Sequence, residues 1–430
     1  MLDRQILRLA VPALGALIAE PLYILADTAV AGRLGTDRLA ALALASTILL
    51  VGHSILIFLA YGTTAAVSRR LGANDHAGAA HQAVQSLWLA VGLGLVLAAV
   101  GFTFAEPLLR AIGADATTLP YAMTYLRISL FGLPAMLVVL AGTGYLRGLQ
   151  DTMTPLLVSL VSATFNLVLE VILIFGLGFD IGASALSTVL AQTGSAIVYV
   201  VMTRRQVRRY DVRMSPHPPT LVRLGIVGGD LFLRTAALRG SLVVTTAVAA
   251  RFGTVALAAH QITLEIWNLC ALALDAVAIA GQALVGRYLG ARDADAAHVV
   301  GDRMLRWGLG CGLVLGATIV VSHSALPRLF TDDVAVVSVA AGLLVITGIA
   351  QPLNGVVFAL DGLLIGAGDM RWLAIAMVGA AAIFIPVALT IGWLDLGVTA
   401  LWWSLTGLMV LRFVPLLVRW RSGRWAVLGV

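Results

Sequence analysis

Lysine is absent from this sequence. All 28 of its basic residues are arginine, so chemistry that needs a lysine amine, a Schiff base for instance, is excluded. Charge of either sign is also scarce, at 12% of 430 residues, while hydrophobic residues make up 60%. Soluble domains average about a quarter charged residues, so an ordinary water-soluble fold is excluded too. The two cysteines, Cys270 and Cys311, lie inside apolar stretches and read as packing, with no disulfide framework. No H-E-x-x-H, G-x-S-x-G or His/Asp cluster falls within an apolar stretch, which removes the usual constellations of an intramembrane enzyme. No metal site and no resident cofactor are expected.

What is present is a series of long apolar runs, each able to cross a bilayer core of about 20 residues. Twelve are expected, at about 6–31, 39–66, 83–105, 120–143, 155–176, 184–202, 221–250, 257–285, 302–322, 338–364, 373–391 and 398–418. They are continuously apolar and do not alternate with a period of two, so they read as helices and not as barrel strands. The class is an all-α membrane protein. The first run, preceded by Arg4 and Arg8, is too long for a signal peptide and is read as retained.

Arginine orients the chain. One set of connections carries Arg4, Arg8, Arg69, Arg70, Arg147, the cluster TRRQVRRYDVR at 203–213 and Arg419, Arg421 and Arg424, whereas the opposite set holds Arg33, Arg38, Arg110, Arg251 and Arg328. The bias predicts a multi-pass protein of the cytoplasmic membrane with both termini in the cytoplasm. The basic residues face lipid headgroups, and no nucleic-acid partner is expected.

The chain repeats itself. VAGRLG at 30–35 returns as VAARFG at 248–253, and AAVSRRLGANDHAGA at 65–79 as ALVGRYLGARDADAA at 283–297, both shifted by 218 residues. Pro134 and Pro352, Gly144 and Gly362, Gly148 and Gly366, and Asp151 and Asp369 keep that shift. The expected organisation is a six-helix lobe at 1–207, a linker at 208–220 and a second six-helix lobe at 221–430. An even number of spans makes the repeats parallel, a plan used by transporters, for which a substrate site at the interface between the two lobes, opened alternately to each side, is the default expectation.

Ionisable groups inside spans are functional candidates by default. The first span holds Glu20 and Asp27, seven residues apart on one helix face. The fifth holds Asn166 and Glu170 at i and i+4, and the sixth offers Thr188. If these faces converge, carboxyls crowd into a low-dielectric cavity where a proton can be taken up and released. Pro21, in sequence between Glu20 and Asp27, leaves the carbonyl near Leu17 without its usual partner and is a candidate bend. The plainer reading is that Pro21 relieves packing and that Asp27 bonds a neighbouring helix. Asp361, Glu265 and Asp275 are secondary candidates in the second lobe; the last two are separated by ten residues, roughly 80° around the helix. Arg234 is expected to snorkel or pair with Asp230, and His53 and His260 to bond between helices.

The pattern P…ADTAVAGRLG, the loops RRLGANDHAGA and GYLRGLQDTMTP, and the run NLVLEVILIFGLGFDIGASA together resemble the multidrug and toxic compound extrusion (MATE) family, in its DinF-like branch. The resemblance covers nearly the whole chain. It implies a V-shaped bundle of twelve helices and a monomeric, cation-coupled antiporter that exports small organic, often cationic or amphipathic, compounds. It also implies a coupling site built from a first-helix aspartate with an Asn and an acid of the fifth helix, here Asp27, Asn166 and Glu170. Glu170 stands where the family often has Asp, and Glu20 where a neutral Gln is familiar. Proton and sodium both remain open as the coupling ion. A lipid-linked oligosaccharide flippase of the same superfamily is the alternative, and would favour a basic cavity over this acidic one.

Overall fold

The computed structural model describes residues 2–429, apart from the side chains of Glu20 and Ile55. Among the described residues the regular structure is entirely helical: α1 (Leu2–Gly32), α2 (Thr36–Leu56), α3 (Phe58–Gly72), α4 (His76–Ala111), α5 (Leu119–Gly148), α6 (Met153–Val171), α7 (Gly182–Arg209), α8 (Pro218–Arg251), α9 (Thr254–Gly290), α10 (Ala294–Ser322), α11 (Val334–Gly366), α12 (Met370–Trp393) and α13 (Gly397–Arg421). A π-helical turn, Ile172–Gly176, extends α6.

The second expected span is divided at Ile57 into α2 and α3. Counting α2 and α3 as one, eleven segments among the described residues are long and apolar enough to cross a membrane. The seventh expected span is the 34-residue helix α8, which falls outside that set. Arg223, Asp230, Arg234 and Arg239 interrupt its apolar run. Helix α1 runs unbroken through Pro12 and Pro21.

The chain forms two compact units, one of Val11–Gly228 and one of Gly229–Val430 together with Met1–Ala10. The start of α1 joins the second unit because Asp3 accepts hydrogen bonds from the Arg303 guanidinium and from Trp307 Nε1, the latter at 2.8 Å.

The duplication is visible in the packing. Adding a Cβ to Gly144 would bring it 2.9 Å from the Ala60 Cα, and adding one to Gly362 would bring it 2.7 Å from the Ala278 Cα. Ala60 and Ala278 are themselves one repeat apart, so the same close helix approach is made twice, and only a residue without a side chain permits it. Helix starts repeat as well. Asp75 caps α4 by accepting from the Gly78 amide at 2.7 Å, and Asp293 caps α10 by accepting from the Ala296 amide at 2.9 Å. The residue before each cap, Asn74 or Arg292, has a left-handed backbone, φ 56° and 61°.

Candidate functional site

Within the first unit, α1, α2, α5, α6 and α7 enclose a cavity of about 300 Å³. On α5 its wall includes the stripe Tyr125, Ser129, Leu133, Met136, Leu140, Thr143 and Arg147, at steps of three and four residues. Twenty-two residues of α-helix separate Tyr125 from Arg147, so the cavity extends for roughly 33 Å at 1.5 Å per residue.

Asp27 lies at one end. It is 4% exposed and forms part of the cavity wall. Glu170, fully buried, stands behind it with its carboxyl as a direct neighbour of Asp27, beside Ser184. Asn166 also lines the cavity and donates through its amide nitrogen to Ser187 Oγ at 3.2 Å and Thr188 Oγ1 at 3.1 Å. Thr188 donates onward to the Ser184 carbonyl at 3.0 Å, so the Tyr23 hydroxyl, 2.6 Å away, is the donor to Thr188. This chain of bonds fixes Asn166 with its oxygen unused.

The unused oxygens gather here. Among the described residues, Asp27 Oδ1, Asn166 Oδ1, Ser184 Oγ and both Glu170 oxygens are buried and find no partner outside the cluster that these residues form with Tyr23 and Tyr125. Buried polar groups are nearly always satisfied, and a cluster of orphaned oxygens is chemically a receptor for protons or for a hard cation. The structure thus brings together Asp27, Asn166, Glu170 and Thr188 from three separate helices. Pro21 is half-buried one turn and a half before Asp27, and the Glu20 side chain lies outside the described residues. Tyr23, Tyr125, Ser184 and Ser187 belong to the site and were not singled out from sequence. Tyr23 carried a signal, since it sits four residues before Asp27 on the same face.

The second unit is different. Asp361, 7% exposed in its side chain, accepts from Arg234 at 2.6 Å and from Arg412, both through Oδ2. Arg234, expected to snorkel or pair with Asp230, pairs with Asp361, which sits between two guanidiniums. Glu265 is exposed and Asp275 half-buried with an interaction of its own. Thr245, one repeat from Asp27, is buried and returns its hydroxyl to the Ser241 carbonyl at 2.8 Å. His260 bonds Thr246 across 3.0 Å, as an interhelical partner would. Among the described residues no group of three His, Cys, Asp or Glu side chains is placed to hold a metal ion.

A helical membrane bundle with a buried acid pair at the end of a long cavity defines a transporter class. The MatE family model matches residues 12–172 and 232–390, one match in each copy, and the chain belongs to the MATE family of multidrug efflux transporters. It is 32% identical to Protein DETOXIFICATION 44, chloroplastic, of Arabidopsis thaliana over 99% of this chain and 84% of that protein. It is 29% identical to DNA damage-inducible protein F of Escherichia coli strain K12, over 98% and 94%. A solved structure of MATE in the bent conformation superposes with a TM-score of 0.89 at 23% identity, covering 99% of this chain and 95% of that one.

Proposed function

We propose that this protein is a proton-coupled antiporter that exports small organic, often cationic or amphipathic, compounds, and that Asp27 and Glu170 are the coupling groups. The observation that carries the reading is the pair of adjacent buried carboxyls with orphaned oxygens at the head of the cavity. Two neighbouring carboxylates in a low-dielectric setting repel each other, so the site must take up a cation. Proton uptake from the outside neutralises Asp27, weakens its hold on a cationic substrate in the cavity and releases it outward. Proton loss to the cytoplasm restores the site. Protonation drives the cycle only through its different free energy in the outward and inward states. Both termini lie in the cytoplasm on this reading, following the arginine bias. The oxygen set formed by Asp27, Glu170, Asn166 and Ser184 also suits sodium, which is the second reading.

Efflux from proteoliposomes under an imposed pH gradient, and then an imposed sodium gradient, tests both. The expected outcome is uphill efflux driven by the pH gradient alone and abolished in Asp27→Asn. Efflux driven by sodium alone transfers the site to the second reading. An Asp27→Asn protein pumping at the wild-type rate would sink both.

A further inference from the structure

We propose that the end of the cavity remote from Asp27 is a binding site for the anionic headgroup, phosphate or carboxylate, of a single-chain amphiphile, with Arg147 as the residue that holds it. The inference takes from the preceding section only that the cavity receives substrate.

Arg147 is 6% exposed, and it is the one arginine in the cavity wall among the described residues. None of the ion pairs among the described residues includes it. Asp151, the nearest acid in sequence, spends its oxygens on the Thr154 amide at 2.9 Å and the Thr154 hydroxyl at 2.6 Å. A buried guanidinium is ordinarily paired, because leaving it alone in a low dielectric is costly. Arginine is also the side chain whose planar fork matches phosphate and carboxylate.

The scaffold does not demand this charge. One repeat later the same turn, framed by Gly362 and Gly366 in place of Gly144 and Gly148, carries Ile365, which is 3% exposed. The fold therefore accepts an apolar residue at this position, and the arginine belongs to the first copy's cavity. The cavity wall also carries the hydroxyls of Ser159 and Ser195. Between the two ends the α5 stripe is largely apolar, with Leu133, Met136 and Leu140. An apolar stripe of that length suits an extended alkyl chain. The carboxyls at the far end disfavour an anionic head there, so the ligand is oriented with its head on Arg147 and its tail toward Tyr125.

The test is native mass spectrometry and equilibrium binding of dodecyl phosphate to the purified transporter in a neutral maltoside detergent, with inorganic phosphate and dodecyltrimethylammonium as competitors. Wild type is expected to bind dodecyl phosphate at least tenfold tighter than Arg147→Ile, which installs the second copy's residue, with Arg147→Lys in between. Binding is read without any ion gradient, so a failure of proton coupling and a failure of headgroup recognition are separable. Neither inorganic phosphate nor the cationic amphiphile is expected to compete at equal concentration. Equal affinity in wild type and Arg147→Ile overturns the proposal. So does inorganic phosphate competing as well as dodecyl phosphate, which would make the site one for free phosphate.

Discussion

At the scale of residues, the two units use buried charge in opposite ways. The first unit gathers acids without a basic partner and leaves their oxygens unbonded, whereas the second clamps Asp361 between Arg234 and Arg412. Removing it leaves the buried Arg412 without its carboxylate, so Asp361→Asn is expected to destabilise the protein by about 3–5 kcal/mol, read as a lowered midpoint in a detergent thermal melt. Arg412→Met should cost less, because Asp361 keeps Arg234. Sequence inspection marked Asp361 and Asp27 alike as intramembrane acids. It could not separate them, because the difference lies in side chains 51 and 127 residues away along the chain.

At the scale of elements, close helix packing rests on a few glycines. Gly144 and Gly362 sit against Ala60 and Ala278, where even a methyl group would collide with backbone. Gly144→Val and Gly362→Val are therefore expected to lower folded yield by a similar degree, at about 1–3 kcal/mol or more each, measured by size-exclusion recovery after a heat step. A second element-level device is the fastening of α2 to the turn before α7. Arg38 donates through Nε and Nη2 to the two oxygens of Asp180 at 3.0 and 3.2 Å. Those hydrogen bonds hold the Asp180 carboxyl below the usual carboxylate range. A lowered folded-state value means that the contribution is present above the ordinary carboxyl value and is lost as pH falls through the folded one. The melting difference between wild type and Arg38→Gln should consequently shrink as the pH drops from about 6 to about 3. Both partners are partly exposed, so the difference is expected to be small.

At the scale of the whole molecule, duplication supplied a scaffold twice and a site once. Turns, caps and glycine contacts recur with the 218-residue shift, while Asp27 and Arg147 become Thr245 and Ile365. Placing a carboxylate in the second copy should not replace the first. The double variant Asp27→Asn, Thr245→Asp is expected to remain without uphill efflux in the proteoliposome assay, since among the described residues Thr245 bonds only the Ser241 carbonyl of its own helix; recovery of pumping would show that either copy can supply the coupling carboxylate.

The amino-acid sequence by itself determined the helical membrane class, the repeat and its register, and the identity of Asp27, Asn166 and Glu170 as candidates. Those are properties of local periodicity, hydropathy and spacing, which are carried along the chain. The tertiary structure alone decided that Glu170 stands behind Asp27, that Tyr23 and Ser184 complete the site, that Asp361 is paired with Arg234 and Arg412 and that Arg147, read from sequence only as a topological charge, faces a cavity. Each of those depends on which helix faces meet. Helices of similar apolarity can meet in many ways, and only close packing of the whole bundle selects one.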